Sequence, residues 1–138
     1  MSAPIPAPKA STAEHLRTDH VEFSDRFADV CGRARTGDWR DLDDVWGGFS
    51  RAVREHLAFE ERELFPAYAE RDADNHARVE RLRAEHDEIR RRLDELGIEI
   101  QLKCIRASTI DAFVALMKRH AETENTYLYP WAESRGHA

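Results

Sequence analysis

The sequence predicts an all-α protein built as an antiparallel up-and-down four-helix bundle. Three observations carry that expectation. Apolar residues recur at spacings of three and four along four long segments. Short clusters of turn and cap residues separate those segments, and none of them alternates with the period of two that a half-buried strand requires. Four helices of about 20 to 30 residues joined by short connections bury their stripes most simply by packing antiparallel to one another.

The elements follow in order. Ala3-Pro4-Ile5-Pro6-Ala7-Pro8 cannot continue a helix, so residues 1–10 read as a flexible N-terminal arm and 11–135 as a single bundle domain. Ser11-Thr12-Ala13-Glu14 has the form of a capping box and should open the first helix, whose stripe is Leu16, His20, Phe23, Phe27, Val30 and Ala34. Thr36-Gly37-Asp38 breaks it. The second stripe is Leu42, Val45, Phe49, Val53, His56, Glu60 and Leu64, with Pro66 expected to bend or end the helix because it removes a backbone donor. After the cap-rich turn Asp72-Ala73-Asp74-Asn75, a third stripe runs Val79, Leu82, His86, Ile89, Leu93, Leu96 and Ile100. Gly97 does not interrupt that rhythm, and the third helix is carried to about Ile105. Ser108-Thr109-Ile110-Asp111 is expected to cap a fourth helix with the stripe Phe113, Met117, His120, Glu124, Tyr127 and Trp131.

Composition narrows the function classes. The chain has 138 residues, one domain's worth, with 35% charged residues and a net charge of −6. Its mean hydropathy of −0.70 suits long solvated helices. The acidic and basic residues are interleaved, so no basic field invites nucleic acid or an anionic membrane surface. No apolar run approaches the roughly 20 residues of a membrane span, and Met1 to Lys9 lacks the hydrophobic stretch of a signal peptide, which together lead to a cytoplasmic expectation. Cys31 and Cys104 form no Cys-x-x-Cys pair, and the default is two reduced thiols lying toward one end of the bundle. Nothing in the chain indicates a protein partner.

The informative departure is six ionisable residues on apolar stripes. His56-x-x-x-Glu60 and His120-x-x-x-Glu124 each place an imidazole and a carboxylate on one helix face, and His20 and His86 occupy stripe positions on the other two helices. Counting from the turns tests whether they share a level. His20 lies 17 residues before Gly37 and His56 19 after it, while around Asp72, Glu60 is 12 before and His86 14 after. At 1.5 Å per residue those pairs agree to within about 3 Å. The third connection fits less well, with His86 21 before Ala107 and His120 and Glu124 only 13 and 17 after. An apolar core cannot hold two carboxylates and four imidazoles without strong compensation, and cations are the simplest source. Four nitrogens and two oxygens without thiolate suit iron, manganese or zinc rather than copper(I) or calcium, and two carboxylates between two histidine pairs favour two bridged ions.

This constellation resembles the hemerythrin-like family, or HHE cation-binding domain, over roughly His15 to Trp131. The residues that carry the resemblance are Asp19-His20, the run from His56 through Glu60 to Phe65-Pro66, Glu85-His86, and His120-x-x-x-Glu124 leading into Tyr127-Leu128-Tyr129-Pro130. The resemblance implies a non-heme di-iron centre with oxo or hydroxo bridges, His20, His56, His86 and His120 as terminal ligands, and Glu60 and Glu124 as bridges. The chain departs from the oxygen carriers of the family, which have a His-x-x-x-His pair on the third helix. Here the positions four from His86 are Leu82 and Arg90, so one imidazole is missing and the set looks more like the iron-sensing, cluster-repair and peroxide-handling branches.

With fewer protein donors, an iron position should be open to dioxygen, hydrogen peroxide, nitric oxide or a further side chain, for which Tyr127 is the candidate. Asp19, Glu85 and Asp87 are candidates to orient an imidazole from outside, and Glu61, Glu63 and Glu122 read as solvated. The expected function is a di-iron protein that reacts with dioxygen or hydrogen peroxide, in an enzymatic version by disproportionating peroxide. The alternative is a non-enzymatic oxygen or nitric oxide binder, or an iron-sensing or storage module, with zinc or manganese as substitute metals.

Overall fold

The computed structural model describes residues 10–136, with side chains from Thr12 to Ser134, and among these it contains helices and turns only. The expected arm at residues 1–10, apart from the Ala10 backbone, and the Ser11 side chain of the first capping box lie outside the described residues. Helix α1 spans Ala10–Thr36, α2 Trp39–Glu63, the short α3 Phe65–Ala69, α4 Ala73–Gln101 and α5 Ala107–Thr123. A π-helical turn, Glu124–Leu128, then leads into α6, Tyr129–Gly136. Helices α5 and α6 together make the fourth arm of the bundle, and the four arms turn inward most of the stripes read from the sequence, with Tyr127 exposed, Val45, Met117 and Trp131 half-buried, and Trp46 and Leu116 buried beside them.

Each helix end has a local cause. Gly37, at φ +76°, closes α1 with bonds from its own N–H to Ala34 and from Asp38 N–H to Arg33. The second arm breaks before Pro66, where α2 ends at Glu63, and resumes after the single residue Leu64 as α3, with Pro66 in its first turn. Asp72 caps α4 by accepting the Asn75 N–H at 2.7 Å. The expectation for the third helix is corrected: it stops at Gln101 rather than Ile105. Lys103 takes a left-handed φ of +56°, with its N–H on Ile100 and that of Cys104 on Glu99, the same closure that Gly37 provides for α1. A side chain in that conformation is strained where glycine is not. Lys103→Gly is therefore expected to stabilise the protein by up to about 1 kcal/mol in urea unfolding, with an unchanged m-value.

The cap of α5 is corrected as well. The helix begins at Ala107, and the Ser108–Asp111 box is not used. Instead Glu99 reaches over from α4 and accepts the Arg106 N–H at 2.7 Å and the Thr109 hydroxyl at 2.7 Å. Burial opposes its ionisation, but these bonds and the Arg106 guanidinium hold the carboxyl below its usual range. Gly97 is tolerated inside α4 because the Trp46 indole lies over it, where a Cβ would meet Nε1 at 3.3 Å.

The core is in two parts. Around Phe23, Phe27, Phe49, Leu93, Leu96 and Phe113, one cluster fills the end of the bundle that holds the α1–α2 turn. A second, around Leu16, Phe65, Leu82, Leu128 and Tyr129, fills the other end. The ionisable layer lies between them.

Candidate metal centre

The structure brings His20, His56, Glu60, His86, His120 and Glu124 into one buried layer. Glu60, Glu124 and His86 have no solvent exposure, while His56 and His120 are buried and His20 is half-buried. Ending α4 at Gln101 removes the mismatch in the level count, since His86 lies 15 residues before that end and His120 13 after the start of α5.

The donors form two groups that share both carboxylates: His20, His56, Glu60 and Glu124, and His86, His120, Glu60 and Glu124. Each carboxylate gives one oxygen to each group. Glu60 Oε2 is 3.3 Å from His56 Nε2 while its Oε1 is 3.2 Å from His86 Nε2. Glu124 Oε1 is 3.3 Å from His20 Nε2, and its Oε2 is 3.1 Å from His120 Nε2 and 3.6 Å from His86 Nε2. In the second group these atoms attract one another by charge, yet His86 Nε2, His120 Nε2, Glu60 Oε1 and Glu124 Oε2 are all buried without a hydrogen bond. Polar atoms that converge without hydrogen-bonding one another suit a shared cation, and leaving them unpaired is costly.

A ring of outer carboxylates orients the imidazoles. The Nδ1–H of His56 donates to Asp19 at 3.0 Å, that of His86 to Glu61 at 2.9 Å and that of His120 to Glu85 at 2.7 Å. A carboxylate accepts only, so the Nδ1 proton is fixed and Nε2 is left facing the site. Asp19 and Glu85 each precede a site histidine but serve the imidazole of the next helix, a crossing that a single-helix reading cannot see. Glu61, read from sequence as solvated, holds His86 and is itself gripped by Arg90 through both oxygens at 2.7 and 2.9 Å. Asp87 does not reach an imidazole. It pairs with Arg90 on the surface. Glu85→Ala is expected to lower metal affinity by roughly 10- to 100-fold in chelator competition.

These neighbours set the protonation of the layer. Burial pulls His56 down, but Glu60 and Asp19 outweigh it and raise the imidazole to about 10. His120 is likewise raised to about 10 by Glu124 and Glu85. Burial raises the Glu124 carboxyl, and the facing imidazoles, His120 foremost, more than reverse that and hold it well below its usual value. Without a cation, protons do its work.

Tyr127 does not join the layer. It is 45% exposed, and the Arg78 guanidinium stacks on its ring at 3.9 Å. Tyr129 takes the inward place, fully buried. The cause is the π turn, in which Tyr129 N–H bonds to Glu124 five residues back, so the helix phase slips and Tyr129 stands above Glu124. The available signal was Pro130: Pro66 and Pro130 follow Glu60 and Glu124 at the same distance, and both arms break there. His15 and His76 are exposed, and His137 lies outside the described residues.

A cavity of 1040 Å³ opens between α1 and α5 and reaches His20, His56 and His120 past Phe23, Phe27 and Phe113. Cys31 and Cys104 are free thiols on its wall. No helix among the described residues is long and apolar enough to cross a membrane. Across residues 11–132 the chain matches the family model of the hemerythrin HHE cation binding domain, and no curated protein or solved structure matches it significantly.

Proposed function

The chain belongs to the hemerythrin HHE cation-binding family, and from that membership we propose that it is a non-heme di-iron protein reacting with dioxygen or hydrogen peroxide. One observation supports the pair of ions above all: each of two fully buried carboxylates divides its oxygens between two histidine pairs. His20 and His56 would hold one ion, His86 and His120 the other, and Glu60 and Glu124 would bridge. Two irons there supply Lewis acidity and reversible electron exchange with a small oxygen species.

The remaining work falls to the chain. Asp19, Glu61 and Glu85 fix the imidazoles. The cavity between α1 and α5 is wide enough to admit a small ligand, and its aromatic lining limits water near the site. Without a third imidazole at Leu82 or Arg90, an ion held there would keep a position open to a small ligand. Leu82 is packed in the apolar core and Arg90 is bound to Glu61.

Protein made with iron available should carry about two irons per chain. Oxygen release from added peroxide that disappears in His120→Ala would establish the enzymatic reading. One zinc, no colour and no peroxide turnover would overturn the proposal. The complete burial of Glu60 and Glu124 between two apolar clusters favours one second reading, an iron sensor or store ordered by its metal. Loss of helical signal on chelation without peroxide turnover would select it.

A further inference from the structure

We infer that Tyr129 is a fifth protein donor to the cation on the His20/His56 side, which makes the two cation positions chemically unequal. This rests on the dinuclear reading above.

The chain repeats itself through the site. Asp19-His20 corresponds to Glu85-His86, and His56, Glu60, Phe65 and Pro66 correspond in order to His120, Glu124, Tyr129 and Pro130. The outer bonds obey the same relation, Asp19 to His56 and Glu85 to His120. Two positions break it. Glu61, which holds His86, corresponds to the exposed Asn125, and His20 Nδ1 accordingly has no hydrogen bond. Phe65, whose ring packs on His86 with centroids 5.0 Å apart, corresponds to Tyr129.

Both differences concern the His20/His56 group. The Tyr129 oxygen stands 2.7 Å from Glu60 Oε2, 3.1 Å from Glu124 Oε1, 3.1 Å from His20 Nε2 and 3.3 Å from His56 Nε2. A hydroxyl donates one hydrogen and accepts at most two, so even with both imidazoles donating to it hydrogen bonding does not account for all four approaches. Ligation does. Neighbouring donors on a six-coordinate ion with bonds of about 2.1 Å stand about 3.0 Å apart, and every donor on such an ion has four such neighbours. The phenol oxygen has the spacing of a ligand to the donors of one group and makes no approach to the Nε2 atoms of the other. On binding, its proton passes to solvent as the oxygen–cation bond forms.

The open position then belongs to the ion held by His86 and His120, which has two imidazoles, two carboxylate oxygens and a phenyl ring where its partner has a phenol. His120 also lines the cavity, giving that ion a route to small ligands.

The test loads the full chain with iron(III), with iron content measured alongside. The wild-type protein should show a visible phenolate-to-iron charge-transfer band, and excitation into it should enhance tyrosine ring modes in the Raman spectrum. Tyr129→Phe should abolish both, with either iron loss confined to one ion or two irons retained, whereas the exposed Tyr127→Phe should change neither. Phe65 shows that the fold accepts a phenyl ring at the corresponding place, and the Raman spectrum of the wild-type protein is informative even if that variant folds poorly. Two irons without the band, or a band that survives Tyr129→Phe, overturns this assignment alone. Failure of the wild-type chain to hold two irons overturns the dinuclear reading and the assignment with it.

Discussion

Replacing Glu124 with alanine is expected to empty both cation positions, not one. The carboxylate has an oxygen within 3.3 Å of His20 Nε2 and another within 3.1 Å of His120 Nε2, so its loss takes a donor from each group. A terminal ligand behaves differently: His20→Ala should weaken one position and leave the His86/His120 group its four donors. Elemental analysis of the two purified variants separates the cases, with iron near zero in Glu124→Ala and about one per chain in His20→Ala. The alanine variant should also lose roughly 1–3 kcal/mol of stability even without metal, because the buried Nε2 side of His120 loses its carboxylate while Glu85 still holds the Nδ1–H. A Glu124→Ala protein that keeps one iron at wild-type affinity would show that the carboxylate serves a single ion.

The legibility of this arrangement in the sequence varied with the range of the interaction. All six residues of the layer stood out because the helical period puts each on an apolar stripe, and stripe membership is a local property of the chain. The hairpin topology followed from short connections. What was not legible depended on contacts between helices. Glu61 is off the stripe of α2 and becomes an imidazole partner only because α4 passes beside it. Glu99 replaces a local capping box because its carboxylate arrives from another helix. Tyr129 moves inward through a one-residue slip of hydrogen bonding, which changes the face of every residue beyond Glu124. Periodicity assumes an unbroken ladder, and Pro130 is the mark that it is broken.

Stripping the metal should lower the unfolding temperature by roughly 10–20 °C at neutral pH, since cations bound only to the folded state add their binding free energy to stability. The size of that gap should depend on pH, and its sign follows from the imidazoles. In the chelated protein His56 and His120 titrate at about 10, above the 6.5 of an unfolded chain. A raised folded-state value contributes stability that is fully present below pH 6.5 and is lost as pH rises through 10. In the loaded protein the same Nε2 atoms bind cations instead of protons, so that loss is absent. The gap between loaded and chelated protein should therefore widen steadily from pH 6.5 to 10. Toward acid, protons displace the cations and the gap should close. There the depressed Glu124 carboxyl works in the opposite sense, its stabilisation being present above pH 4.5 and lost as pH falls through its folded value. Calorimetric scans of both forms across this range measure the effect directly. A chelated protein whose unfolding temperature is flat between pH 7 and 10 would show that the protonated imidazoles do not hold the layer together, and with them would go the account of how the fold tolerates two buried carboxylates before metal arrives.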